Sequence, residues 1–220
     1  MTDHKPHRIS IPKYSLSEEL LNSISHGVGA LFGIVATVLC IVKAAGTGDP
    51  WRIVSSAIFG ATVLLLYLMS CLYHALKVNM AKRVFRVIDH CTIFLLIAGT
   101  YTPFTLVTLR GTIGWWLFGI VWGMAVLGIT LNAISLKKFS KISVACYLIM
   151  GWAILAAFQP LADALSPEGV ALLIWGGVAY TVGAILYGIG SKVKYFHSVF
   201  HFFCLAGTVF HFCAIYLHVL

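Results

Sequence analysis

Ser70 and His74 stand four residues apart, and so do His197 and His201. On a helix that spacing puts both members of a pair on one face, a turn apart. Two imidazoles so placed can reach one ion, and a third from the other pair completes a three-His set: His74, His197 and His201. Imidazole suits zinc, and three protein ligands with one open position are the catalytic pattern for that metal. A zinc-bound water has a pKa near 7. Asp89 at the same depth can act as general base toward it, and Ser70 can hydrogen-bond the water or a developing oxyanion. His26 and His90 share that depth and fit supporting or structural roles around the ligands. Cys71 and Cys91 are rotated about 100° from Ser70 and His90, which makes them poor fourth ligands. Plainer roles stand beside these. Asp89 can cap a helix N-terminus, although Val84, Phe85, Val87 and Ile88 suggest that the helix has already begun. The Ser70 hydroxyl can bond back to its own helix carbonyl.

The elements that must position these residues are membrane helices. Apolar residues make up 60% of the chain and charged residues 10%, where a soluble chain carries roughly 25% charge. Seven stretches approach the length of about 20 residues that spans a hydrocarbon core. They run over Ile24–Ala44, Ile53–Tyr73, Val87–Thr108, Ile113–Leu131, Ile142–Leu161, Val170–Ile189 and Val199–Val219. The connections are short, so neighbours pack antiparallel in one bundle. The expected architecture is therefore all-α: a polar segment over residues 1–23, then a seven-helix transmembrane domain over residues 24–220. Ser15-Leu16-Ser17-Glu18 fits a capping box, which predicts a short amphipathic helix lying on the membrane before the first span. No short apolar run with a small-residue cleavage site follows the polar residues 1–23, so no cleaved signal peptide is read.

Lys and Arg orient the bundle. Lys5, Arg8, Lys13, Lys77, Lys82, Arg83, Arg86, Lys137, Lys138, Lys141, Lys192 and Lys194 fall on one side, against Lys43, Arg52 and Arg110 on the other. This bias predicts a cytoplasmic N-terminus and an external C-terminus. The net charge of +8 is then a topology signal. It calls for no nucleic-acid partner, and the basic rim suits anionic lipid headgroups. The six Cys, at 40, 71, 91, 146, 204 and 213, form no CxxC pair and read as small buried hydrophobes. His211 lies ten residues beyond His201, about 15 Å along a helix axis. It cannot join the same site and reads as packing or cavity lining. Pro103, closing Gly99-Thr100-Tyr101-Thr102-Pro103, removes a backbone bond and predicts a kink that either shapes a cavity or serves packing.

At these residues the chain resembles the bacterial hemolysin III branch of the progestin and adipoQ receptor family. The matching pieces are Asn22-Ser23-Ile24-Ser25-His26-Gly27, Ser70-Cys71-Leu72-Tyr73-His74, Asp89-His90, Gly99 to Pro103 and His197-Ser198-Val199-Phe200-His201, with His211-Phe212 beyond. The resemblance implies seven helices in a bacterial plasma membrane. It implies zinc on the cytoplasmic side held by His74, His197 and His201, with Asp89 and Ser70 at the zinc-bound water. It extends to the alkaline ceramidases, where a similar centre cleaves a lipid amide. The chain has no long N-terminal extension like that of the animal receptors, so hormone sensing is not carried over.

Two functions follow as expectations. One is a zinc hydrolase acting on an amide or ester of a membrane lipid, serving membrane homeostasis. The other is a non-enzymatic sensor or haemolytic, cytolytic protein whose zinc clamps helices together. Pore formation fits poorly, because no helix shows a repeated polar stripe. Membrane lipids are the expected partners under either reading, and self-association into a homo-oligomer stays open.

Overall fold

The computed structural model describes residues 11–190 and 193–220. Lys5, Arg8 and Lys192 of the charge pattern, and His4 and His7, lie outside the described residues. All regular structure among the described residues is helical: α1 Leu16–Thr47, α2 Pro50–Ala75, α3 Met80–Pro103, α4 Thr112–Trp152, α5 Phe158–Ala164, α6 Pro167–Gly190 and α7 Phe196–Ala214. Two π-helical turns, Phe104–Thr108 and Ile215–Val219, continue α3 and α7, and a 3-10 turn, Ala153–Ala157, joins α4 to α5. Six helical stretches among the described residues are long and apolar enough to cross a membrane. The helices pack in a closed ring in which α2 lies between α1 and α3, α4 joins α3 to α6, and α7 joins α6 back to α1.

One of the six stretches, Thr112–Ala164, has 53 residues, more than twice the roughly 20 that cross a hydrocarbon core. It is not straight. Ser135 has extended backbone angles, φ −163° and ψ 95°, in the middle of α4. Asn132 Nδ2 donates to the Tyr147 hydroxyl at 3.4 Å, although residues fifteen apart on a straight helix are about 22 Å apart. Ser143 Oγ also donates to Asn132 Oδ1 at 2.6 Å. The chain therefore doubles back at Ser135. Lys137, Lys138 and Lys141 follow the reversal on helical backbone, where a polar loop was expected.

The N-terminal expectation needs correction. The capping box forms: Glu18 N donates to Ser15 Oγ at 3.4 Å, and Ser15 N to Glu18 Oε2 at 2.9 Å. It opens α1 itself, which runs unbroken for 32 residues, so among the described residues no separate short helix precedes the span. The reason is local. Leu16 to Ser23 contain neither Gly nor Pro, and nothing stops the helix from propagating into the apolar run. At about 1.5 Å per residue α1 is about 48 Å long, longer than a hydrocarbon core of about 30 Å. Residues 16–23 thus belong to the helical bundle. Asn79 caps α3 through its side chain, which accepts from Lys82 N, so Asp89 is not an N-cap and lies well inside the helix.

α1 shows how lipid organises the packing. Its buried face carries Gly29, Gly33, Ala36, Cys40 and Ala44, while Val28, Leu31, Val35, Val38 and Val42 are exposed. Large aliphatics outside and small residues inside are what a helix needs when its solvent is hydrocarbon and tight packing drives association. A Cβ on Gly29 would sit 2.5 Å from Tyr67 Cδ1. That close approach brings the polar turns at the start of α1 against α2. Pro103 ends α3, and the following turn loosens to π-helical geometry. Proline cannot donate to the carbonyl four residues back.

Candidate metal centre

α2 delivers His74 from its last turn, and α7 delivers His197 and His201 from its first two. All three are buried. The Nε2 atoms of His74 and His197 are 3.4 Å apart, and those of His197 and His201 are 3.2 Å apart. The candidate ligand atoms of the set all lie within 4.8 Å of one another. Nitrogens bound tetrahedrally at about 2.0–2.1 Å from zinc have edges of about 3.3 Å. Two of the three pairs are thus close to that edge, and the third is bounded by 4.8 Å.

The other ring nitrogens explain why Nε2 converges. His74 Nδ1 lies 2.7 Å from Glu19 Oε2, and His201 Nδ1 lies 3.3 Å from the Asn22 carbonyl and 3.5 Å from Ser25 Oγ. A carboxylate and a carbonyl only accept, so these contacts favour the Nδ1–H tautomer of each imidazole. In the neutral rings both Nε2 atoms then present lone pairs toward His197, whose single Nε2 proton can serve at most one of them. Three imidazoles so arranged fit a cation. The outward Nδ1–H bonds are the kind of contact that fixes tautomer and ring orientation at zinc sites.

A cavity of about 150 Å³ adjoins the triad. Its walls include His197, His201, Ser70, Asp89, His26 and His90, and beyond them it turns mostly apolar, reaching Trp152 and His211. The structure thus gathers Ser70, Asp89, His26, His90, His197 and His201 around one space, with His74 packed against His197. His26 lies flat on His201, ring centroids 3.6 Å apart, and meets Tyr67 edge-on. His90 supports less directly. Its Nδ1 donates to the Arg86 carbonyl at 2.8 Å, and its Nε2 lies 3.2 Å from the Tyr187 hydroxyl. Tyr187 in turn faces His197 at 5.8 Å. His211 Nε2 donates to the Leu173 carbonyl at 3.1 Å, which fits its expected lining role. The six Cys are free thiols, and none joins the clustered ligand set among the described residues.

Sequence reasoning passed over four neighbours of the triad. Glu19 and Lys82 form a close ion pair, 2.6 Å from Nζ to Oε1, and Lys82 is 1% exposed. Tyr14 stacks on His197 at 5.0 Å, and burial pushes its phenol well above the usual tyrosine range. Asn22 was seen only as part of a matching stretch. One signal was available: Glu19, Asn22 and His26 fall at i, i+3 and i+7, a single polar face on an apolar helix.

These features define a class: an all-helical, multi-pass integral membrane protein with a buried three-histidine cluster at one end of its bundle. A family model described as "Haemolysin-III related" matches residues 14–212. Hemolysin-3 of Bacillus cereus is 40% identical over 205 residues, covering 93% of each chain. A Hemolysin-3 homolog of Bacillus subtilis (strain 168) is 43% identical over 204 residues, 92% of this chain and 95% of its own. The chain belongs to the haemolysin III family and sits in the bacterial membrane. No solved structure matches it.

Proposed function

We propose that this chain is an intramembrane zinc-dependent hydrolase acting on an amide or ester of a membrane lipid. The observation that carries the reading is the convergence of three buried imidazoles, with two of their Nε2 pairs 3.4 and 3.2 Å apart. Ser70 and Asp89 line the adjoining cavity, whose remaining walls are mostly apolar, as a lipid chain requires. His74, His197 and His201 would hold the ion. Zinc supplies Lewis acidity there, polarising a carbonyl and making water acidic enough to lose a proton near neutral pH. Asp89 accepts a proton from water in the cavity, which is the work a membrane-buried carboxylate is suited to. The Ser70 hydroxyl donates a hydrogen bond to the substrate's carbonyl oxygen as charge grows on it. The apolar walls take the hydrocarbon and exclude competing water. In the same reading the reversal at Ser135 turns the six long helical stretches into seven crossings. The Lys and Arg bias then places the triad end and the N-terminus in the cytoplasm.

The test is metal content of detergent-purified protein, wild type against the His197→Ala/His201→Ala double variant, followed by a mass-spectrometric screen for lipid products with Asp89→Asn as control. About one zinc per wild-type chain, lost in the double variant, and products lost in Asp89→Asn support the reading. Wild-type protein that takes up no supplied zinc would sink it.

A second reading draws on the names of the Bacillus relatives, which are haemolysins by name. Here the ion would be structural, clamping α2 to α7 in a sensor or cytolytic protein. Dye-loaded liposomes separate the two: leakage without lipid turnover favours lysis, and tight liposomes with turnover favour hydrolysis.

A further inference from the structure

α1 supplies no ligand to the triad, yet it holds the outward nitrogen of two of the three imidazoles. Glu19 is the centre of that arrangement. One carboxylate oxygen takes the His74 Nδ1 proton at 2.7 Å, and the other takes the Lys82 ammonium at 2.6 Å. Lys82 also donates to the Leu76 carbonyl at 3.0 Å, and Leu76 is the residue that ends α2 just beyond His74. The Lys82 ammonium lies 5.2 Å from the centre of the Tyr73 ring. A single carboxylate therefore ties α1 to the ligand on α2 and to the first turn of α3. The Glu19 side chain is 17% exposed, and the side chains of His74 and Lys82 are 0% and 2% exposed. Water competes poorly for these bonds, so their geometry is held by the protein.

Resting on the zinc reading above, we infer that Glu19, charge-balanced by Lys82, is the positioning residue that fixes His74 as a metal ligand. The carboxylate holds the Nδ1–H tautomer and aims Nε2 at the other two imidazoles. It also makes the ring a better donor, because a negative partner on Nδ1 raises the basicity of Nε2. Lys82 holds the other carboxylate oxygen, so Glu19 stays on the outward, Nδ1 side of His74. Glu18, one residue earlier, has a different task. It receives the backbone N–H groups of Ser15 and Tyr195 at 2.9 Å each and so anchors the start of α1.

The experiment is zinc affinity by chelator competition on wild type, Glu19→Gln and Glu18→Gln. Cobalt(II) in place of zinc reports the ligand field by its visible absorption. In Glu19→Gln the new amide oxygen can still accept from His74, but the amide nitrogen then turns two donors toward the Lys82 ammonium, so the arrangement cannot be kept whole. Glu19→Gln should bind one zinc per chain, about 10- to 100-fold more weakly, with a shifted cobalt band and a lowered metal-free melting temperature, because the buried Lys82 loses its carboxylate. Glu18→Gln should leave affinity and band unchanged. Should Glu19→Gln fail to fold, Glu19→Asp keeps the charge but draws the carboxylate back by one methylene, and it carries the same expectation. Glu19 variants that bind zinc within twofold of wild type would overturn the inference and leave the zinc reading standing. Equal weakening by Glu18→Gln would overturn it too, since helix anchoring would then account for the effect. A wild-type chain that binds no zinc would overturn both.

Discussion

Stripping metal from the purified protein should lower its melting temperature by an amount set by free zinc. The perturbation is chelation in wild type, compared with the His197→Ala/His201→Ala double variant. A ligand that binds only the folded state stabilises it by RT ln(1 + [L]/Kd), about 2.7 kcal/mol when free zinc is one hundred times Kd. For a chain of 220 residues each kcal/mol corresponds to roughly 2–4 °C. The expected difference between chelated and zinc-buffered protein is thus about 5–11 °C, with about 3–5 °C for each further tenfold rise in zinc. The structure supports a response of this size. The nitrogen spacings of 3.4 and 3.2 Å lie near the tetrahedral edge of about 3.3 Å, so these two pairs need little movement to share an ion. The assay is differential scanning fluorimetry in detergent with zinc held by a chelating buffer. The double variant keeps only His74 and should melt at one temperature across the series. A wild-type melting point that ignores zinc, or a double variant that tracks it equally, would refute the reasoning.

Other outcomes follow from individual contacts. Tyr14→Ala removes the ring stacked on His197, so a chelator should strip zinc faster from this variant in a stopped-flow measurement, with the number of sites unchanged. Asn132→Ala removes the amide that Ser143 and Tyr147 share at the reversal, leaving Ser143 only its bond to the Phe139 carbonyl and Tyr147 only its bond to the His90 carbonyl. It should cost about 1–3 kcal/mol, read as a lower melting temperature at fixed zinc. Gly29→Val drives a side chain into Tyr67 and should cost about 1–3 kcal/mol by overpacking, measured by the same melt.

Much of the site was readable because it depends on spacing along single helices. Four-residue intervals set His197 beside His201 and Ser70 beside His74 whatever the rest of the molecule does. The membrane class was equally plain, since a chain this poor in charge has no other solvent in which to fold. The early start of α3 was also visible in part. The apolar residues around Arg86 suggested a helix already under way at Asp89, and Asn79 proves to be its cap.

Other features carried no local mark. Ser135 sits in Asn132-Ala133-Ile134-Ser135-Leu136-Lys137, with no Gly or Pro to announce a reversal. Its extended backbone is held by bonds to residues that follow the turn, so only the folded chain reveals it. Glu18 and Glu19 looked alike as acids in a capped first turn. One anchors backbone and the other reaches His74, because a helix turns about 100° between them and α2 lies on only one side. Lys82 read as one more cytoplasmic charge until Glu19, 63 positions earlier, was found against it. By itself the sequence determined the helices, their solvent and the three imidazoles, all properties of short range or of composition. The tertiary structure decided which acid orients those imidazoles, where α4 turns back and what surrounds the cavity, because each is a contact between segments far apart in the chain.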